Sequence, residues 1–317
     1  MFDSVLVCPK CKSDLENQTS GFRCRKCSDF FPLIRDIPRF IFGEEYTDSF
    51  GLQWNRFSRT QLDSALGSTR SKMRFEIETQ WSAQDLKDKF VLDAGCGAGR
   101  FAEVAQSFGA KLIAVDSSTA VEAAAFNLGS DSILILQADL LNLPLSDYCA
   151  DFIYCIGVLQ HTAEPRKIVE ELFRCLKVGG EIVFTFYENS SWHVKFYSKY
   201  LVRPITKRLP KSLLLSLIEN SAFAWFPLTR YLFSLPYPVS KILRFLIPIA
   251  NYVEWEYQNL EDAKSEAILD TFDMLSPAYD LPIKKSEFIS WVSALEFKVT
   301  MLPSTPSQGT LKFRRDS

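Results

Sequence analysis

The sequence predicts an α/β protein with a mostly parallel sheet, preceded by a small cysteine module and interrupted by a helical insert. Three observations carry that expectation. Residues 89–187 alternate short apolar runs with helical patterns, as βαβ units do. Two Cys-x-x-Cys pairs stand apart from that pattern, at residues 8–27. Residues 188–262 are aromatic, basic and broken by prolines, whereas 263–317 return to strand-like runs. The parts are therefore 1–42 (cysteine module), 43–88 (helical connector or lid), 89–187 with 263–317 (core), and 188–262 (insert).

In the first part, Cys8-Pro-Lys-Cys11 and Cys24-Arg-Lys-Cys27 are separated by twelve residues. Each pair puts two thiolates on one tight turn, and a hairpin joining the turns gives the four-sulfur set that zinc prefers. Two disulfides would be the alternative, but the N-terminus lacks the basic start and apolar run of a secretory signal, so a reducing cytosol is expected. A closed four-cysteine site is structural, with no coordination position left for a substrate. The following "FFPLIRDIPRF" makes the segment similar to the short zinc ribbons that activate tRNA and protein methyltransferases or precede some bacterial methyltransferase domains.

The connector carries Trp54, Arg56 and Arg74, candidates for a lid over the site. In the core, "FVL" at 90–92 reads as a buried strand, and "RFAEVA" from Arg100 begins a helix. The glycines between them, Gly95-x-Gly97-x-Gly99, do not fit the Gly-x-Gly-x-x-Gly of a dinucleotide site or the Gly-x-x-x-x-Gly-Lys-Ser/Thr of a phosphate loop. Asp93, just before the loop, suits an ammonium group and opposes a pyrophosphate. "KLIAVD" ends in Asp116, where a carboxylate can accept from both ribose hydroxyls. "ILILQADLLNLPL" ends in Asp139, followed by Leu140, next to where an adenine amine would lie. "CADFIYCIGVLQHT" is a fourth strand ending near Gln160 and His161. A helix from Pro165, a Gly-Gly turn and a fifth strand follow, and 294–301 and 308–314 supply the last two strands. Cys149, Cys155 and Cys175 sit in apolar contexts and read as core.

"VLDAGCGAGR", "VD" at 115–116, "QADLLNLP" and "DFIYCIGVLQHT…EPRKIVEELFRCLKVGG" together resemble the class I S-adenosylmethionine-dependent methyltransferases over about 100 residues, in the expected order. The resemblance implies a Rossmann-like sheet of seven strands, mostly parallel. It implies that Asp93 and Gly95 hold the methionine moiety, Asp116 the ribose, and Asp139 and Leu140 the adenine. Ile156 and Gly157 would lie beneath the sulfonium, with Cys96, Gly97, Gly99 and Ser117 completing the cofactor set. Cys96 reads as a small side chain in the loop, not as a nucleophile.

A methyl acceptor that carries a proton needs a base. His161 is the candidate, and a histidine that merely packs the loop is the alternative of equal weight. Glu188 and His193 are weaker candidates. A net charge of -2 sets up no global basic field for nucleic acid. The leading expectation is methylation, at oxygen, of a small-molecule, glycan or lipid-linked acceptor. This rests partly on the similarity of residues 50–64 and 269–297 to methyltransferases encoded with surface-polysaccharide and lipid-linked glycan genes. The alternatives are an RNA methyltransferase gripping nucleic acid with the ribbon, a quinone-type carbon methyltransferase, and a cofactor-binding scaffold without activity. The insert is read as a substrate cap, a peripheral membrane contact through 195–250 or an oligomer face, and the protein as cytoplasmic or peripheral to a membrane. Its oligomeric state stays open.

Overall fold

The computed structural model describes residues 5–41, 47–129, 132–189, 197–305 and 309–317. Two antiparallel hairpins open the chain: β1 (Leu15–Gln18) with β2 (Gly21–Cys24), and β3 (Phe30–Ile34) with β4 (Ile37–Phe40). The connector forms helices α1 (Asp48–Arg56), α2 (Asp63–Leu66), α3 (Arg70–Thr79) and α4 (Ala83–Leu86). The core then alternates: β5 (Phe90–Ala94), α5 (Arg100–Ser107), β6 (Lys111–Asp116), α6 (Ala120–Leu128), β7 (Ile133–Ala138), β8 (Ala150–Ile156), α7 (Pro165–Cys175) and β9 (Leu176–Thr185). These strands are near-continuous apolar runs because helices cover both faces of a parallel sheet. Helices α8 (Ser198–Thr206), α9 (Lys211–Phe233), α10 (Val239–Leu246) and α11 (Leu260–Leu275) follow. The chain ends with α12 (Lys285–Ser293), β10 (Val299–Leu302) and β11 (Thr310–Arg315).

The strand order is β1-β2-β3-β4-β7-β6-β5-β8-β9-β11-β10. From β7 to β9 the core pairings are parallel, and β11 runs antiparallel to both β9 and β10. This is the expected Rossmann-like sheet with one correction: it has eleven strands, not seven. The extra four come from the cysteine module. Its β4 pairs in parallel with β7, setting Arg39 opposite Gln137 and Phe40 opposite Ala138. The module therefore covers a sheet edge that would otherwise present unpaired backbone. Arg39 is buried in that junction, where its guanidinium donates to Gln137 (2.8 Å) and pairs with Glu122 (3.1 Å).

Three smaller expectations shift. The expected strand at 294–301 is confined to Val299–Leu302, because α12 and its terminal turn use Ala294. The Gly179-Gly180 pair lies within the β9 span, beside an irregularity in its pairing with β8, so it does not form a separate turn. Helix α11 crosses the 262/263 boundary drawn between insert and core, and its buried face joins α9 and α1 in one apolar cluster of Phe57, Leu214, Ile218, Leu269 and Phe272. The helix packs on α9 along both halves, through Ala263 and Ala267 as well as Leu269 and Phe272, which sequence periodicity could not reveal because insert and core helices look alike. Cys149, Cys155 and Cys175 are buried, as expected. Among the described residues no helix is long and apolar enough to cross a membrane.

Candidate active site

The loop after β5 is held by its own backbone: the Gly95 and Cys96 amides both donate to the Val115 carbonyl (2.8 and 3.0 Å). Gly95 has φ +90°, and a Cβ there would fall 2.4 Å from Val158, so only glycine fits. Gly95, Cys96, Gly97, Asp116, Ser117, Asp139, Leu140, Ile156 and His161 all line one cavity of about 1340 Å³. That is more than one nucleoside-sized ligand needs.

Two residues of the expected cofactor set do not line it. Gly99 caps α5, and its Cα packs toward Leu128, so it shapes the turn rather than the cavity. Asp93 lies beneath the loop and is 3% exposed. Burial pushes its carboxyl up to about 8, opposed by the Tyr154 hydroxyl and reinforced by the charge of Asp116. Asp93 Oδ2 and the Tyr154 hydroxyl are both buried and face each other without a well-formed hydrogen bond. An orphaned buried acceptor costs free energy, and that cost is relieved when a donor arrives.

Asp116 is partly committed to the fold. Its Oδ1 accepts from the amide and hydroxyl of Ser118 (2.8 and 2.7 Å), and its Oδ2 accepts from the Gly97 amide (2.9 Å). A carboxylate has about four lone-pair positions. One remains on Oδ2, fewer than the reading of Asp116 as acceptor for two hydroxyls assumed. Asp139 accepts from the Leu141 amide through Oδ1 (2.9 Å), and burial raises its carboxyl. The thiol of Cys96 is pushed well up by burial and by the neighbouring aspartates, so it stays protonated and unreactive.

His161 sits in a 3-10 turn after β8, 7% exposed, with the Phe50 and Tyr187 rings 5.3 and 5.8 Å away. Its Nδ1 lies 3.0 Å from the Tyr279 carbonyl. A carbonyl only accepts, so Nδ1 carries the hydrogen and the neutral ring keeps its lone pair at Nε2. The histidine thus packs the loop and leaves Nε2 without a proton in that tautomer. Glu188 also lines the cavity, while His193 lies outside the described residues.

Of the connector candidates, Trp54 and Arg74 line the cavity, and Arg56 does not: it pairs with Glu219 of α9 (3.0 Å). The far half of the cavity was not legible in the sequence. There α11 contributes Asp270 and Asp273, α1 contributes Gln53, and the segment after α10 contributes Tyr252 and Trp255. The Tyr252 and Trp255 rings are stacked at 3.9 Å. Gln53 is 1% exposed; its amide donates to Asp273 (3.1 Å), and its Oε1 has no partner. Burial pushes Asp270 up to about 7, helped by Glu266 and Asp273. One signal was readable: Glu266, Asp270 and Asp273 recur at helical spacing in an otherwise apolar stretch.

In the cysteine module, the four sulfurs lie within 4.8 Å of one another. Cys8–Cys27 and Cys11–Cys24 are 3.5 and 3.4 Å apart, and Cys11–Cys27 is 3.9 Å. These are not disulfide lengths; they are close to the edges, about 3.8 Å, of a tetrahedron with zinc–sulfur bonds of about 2.3 Å. The amides of Lys26 and Cys27 point at Cys24 Sγ (3.4 and 3.3 Å) and would share in offsetting thiolate charge.

Residues 92–184 match the methyltransferase-domain family. That stretch contains nearly all of β5 to β9 and every cavity residue of the expected cofactor set, and it is a class I S-adenosylmethionine-dependent methyltransferase domain. Among curated relatives, the chain is 35% identical over 94 residues to a malonyl-[acyl-carrier protein] O-methyltransferase of Pectobacterium atrosepticum, covering 30% of this chain and 37% of that protein. It is 29% identical over 103 residues to a ubiquinone biosynthesis O-methyltransferase of Coxiella burnetii (32% and 44%). It is 30% identical over 122 residues to a demethylmenaquinone methyltransferase of Clavibacter sepedonicus (38% and 50%). The chain thus spans half or less of the length of these relatives, and the ribbon and cap lie outside the shared domain.

Proposed function

We propose that this chain, built on the methyltransferase domain of residues 92–184, moves a methyl group from S-adenosylmethionine to a hydroxyl of a small-molecule, glycan or lipid-linked acceptor. The observation that carries the reading is the continuity of one cavity from the glycine loop, Asp116 and Asp139 to His161 and the acid-and-aromatic chamber under the cap. The donor half fits that cofactor. Asp116 lines the cavity and keeps one lone pair, and Gly95 and Gly97 hold the loop at positive φ against Val158 and Trp54, where a Cβ would clash. Asp116 would take the ribose and Asp139 with Leu140 the adenine, while Asp93, outside the cavity, would act on the amino group from beneath the loop through its charge. Ile156 and Gly157 would form the floor beneath the sulfonium.

When bound, the cofactor supplies a methyl group that is already activated. The protein's share is alignment, exclusion of water and removal of one proton. The acceptor hydroxyl gives that proton to His161 Nε2 as its oxygen gains the methyl. The Tyr279 carbonyl holds the tautomer that makes this lone pair available. Asp270, Asp273 and Gln53 supply acceptors for further hydroxyls. A quinone-type carbon acceptor is the second reading, favoured by the stacked Tyr252–Trp255 pair as a surface for a planar ring.

Labelled methyl transfer into fractionated cell extract tests the proposal: label is expected in a lipid, glycan or small-molecule fraction, and label confined to RNA or protein overturns it. His161→Gln is expected to lower the transfer rate roughly 10²–10⁴-fold, as loss of a general base does, with cofactor affinity unchanged. An undiminished rate assigns His161 to packing alone.

Asp93 gives a second, pH-based prediction. Its ordinary value is about 3.9 and its folded value about 8. Between these the folded, ligand-free protein holds a proton that the unfolded chain does not, so Asp93 costs stability as pH rises through the window. A cationic amino group favours the ionised form. Cofactor binding at pH 6.5 should therefore release part of that proton, and the affinity should rise toward pH 8. Calorimetry in two buffers of different ionisation enthalpy measures that release. It should vanish in Asp93→Asn, and no release from the wild-type protein would sink the assignment of Asp93.

A further inference from the structure

The cap is built inside out on its outer side. A surface helix places polar residues toward solvent. On α9 the buried stripe of Leu214, Ile218, Ala222 and Phe226 faces α11, yet the opposite stripe is also apolar: Leu213, Leu217, Leu228 and Tyr231, 47–68% exposed, recur at helical spacing along its length. Helix α10 buries no residue at all. Its apolar side, Val239, Ile242 and Leu246, is 46–59% exposed, and its basic side carries Lys241 and Arg244. On α8, Leu201 and Ile205 are likewise exposed, one turn apart, and Arg208, two residues past its end, is exposed too. The three helices are tied together: the Tyr197 ring meets Phe245 at 5.2 Å, and the Arg244 guanidinium lies 5.0 Å from the Phe233 ring.

Charge decides what such a surface meets. Residues 197–246 hold eight Lys and Arg against one acid, Glu219, within a chain of net charge -2. A two-fold interface between copies would bring these like charges together. An anionic bilayer surface would attract them while taking up the apolar stripes.

We infer that the outer faces of α8, α9 and α10 rest on an anionic membrane surface and that the cavity draws a lipid-anchored acceptor from it. The link to the cavity is α10: Lys241, Arg244 and Phe245 form part of the cavity wall, and Ile242 and Leu246 of its apolar side border the cavity while staying more than half exposed. A chain resting on α10 sets the cavity mouth at headgroup level. An acceptor headgroup can then reach His161 while its tail stays in the lipid. The choice of acceptor rests on the methyltransferase reading; the docking does not.

Co-sedimentation with vesicles tests the docking without any cofactor. The full chain should bind vesicles of phosphatidylcholine and phosphatidylglycerol and should bind phosphatidylcholine alone at least tenfold more weakly. Added salt should reduce the binding. The double variant Leu217→Glu with Leu228→Glu, which changes two solvent-facing positions outside the cavity, should lower binding at least tenfold and leave cofactor affinity intact. Absence of vesicle binding, or equal binding by the variant, overturns the inference. So does a wild-type dimer that the variant dissociates, because the stripes are then a face between copies. Methyl transfer is read separately, so vesicle binding without transfer overturns the activity alone, and transfer without vesicle binding overturns the docking alone.

Discussion

Gly97→Arg is expected to abolish binding of S-adenosylmethionine, with a loss of at least 100-fold, or about 2.7 kcal/mol, in a chain that still folds. Gly97 has φ +52°, and its missing Cβ would lie 3.0–3.4 Å from the Trp54 indole. A long side chain there must fill the donor cradle or push Trp54, and with it α1, off the loop. The Gly97 amide also donates to Asp116 Oδ2, so moving the loop disturbs the carboxylate assigned to the ribose. Asp116→Ala reaches the same point from the other side. It frees the Gly97 and Ser118 amides and the Ser118 hydroxyl at once, and hydrogen bonds to a charged group contribute roughly 1.5–3 kcal/mol each. Calorimetric titration of both variants, alongside thermal melts to show that they fold, reads the effect. Affinity within threefold of wild type in both would remove the cofactor assignment.

These residues were legible because the donor half is written locally. Strand, glycine loop and helix follow one another within Phe90–Ser107, and Asp116 and Asp139 each sit at or just past the end of an apolar run. What tertiary packing assembles was hidden. Tyr252 and Asp270 are eighteen positions apart and in different elements, yet they meet in one chamber with Gln53, about two hundred positions earlier. The burial of Asp93 was also invisible, since position before a loop does not tell whether a carboxylate points into a cavity or beneath it. The eleven-stranded sheet was missed for a further reason. "FFPLIRDIPRF" carries two prolines, which argue against a paired strand, but β4 is short and its Pro38 stands outside the register that joins Arg39 and Phe40 to β7.

That junction makes metal loss the second large effect. Metal analysis of protein purified under reducing conditions is expected to find about one zinc per chain. Its removal by a strong chelator, or Cys24→Ser, should lower the thermal midpoint by more than about 10 °C, since structural zinc supplies roughly 10–16 kcal/mol of apparent binding free energy and a few of these suffice. Cys8 and Cys24 are buried in the same apolar cluster as Phe31, Phe40, Leu143 and Leu145, so the ribbon cannot unravel without opening the main core. The ribbon also holds the segment just past Asp139 and Leu140. Lys12, between the two halves of the cysteine set, donates from Nζ to the Leu143 carbonyl (2.8 Å) and pairs with Glu171 (2.9 Å). The Val7 amide donates to Pro144 (3.0 Å), and the Ser146 amide donates to Val5 (2.8 Å). Without the metal, the adenine side of the cavity loses this brace and β7 loses its cover. Cofactor affinity should then fall at least tenfold at temperatures where the rest of the chain stays folded. Lys12→Met isolates the brace: it should keep zinc and the fold and lose part of the same affinity. A chain that contains no zinc, or that melts and binds alike with and without chelator, would show that the four thiols are not a metal site and that the ribbon stands by packing alone.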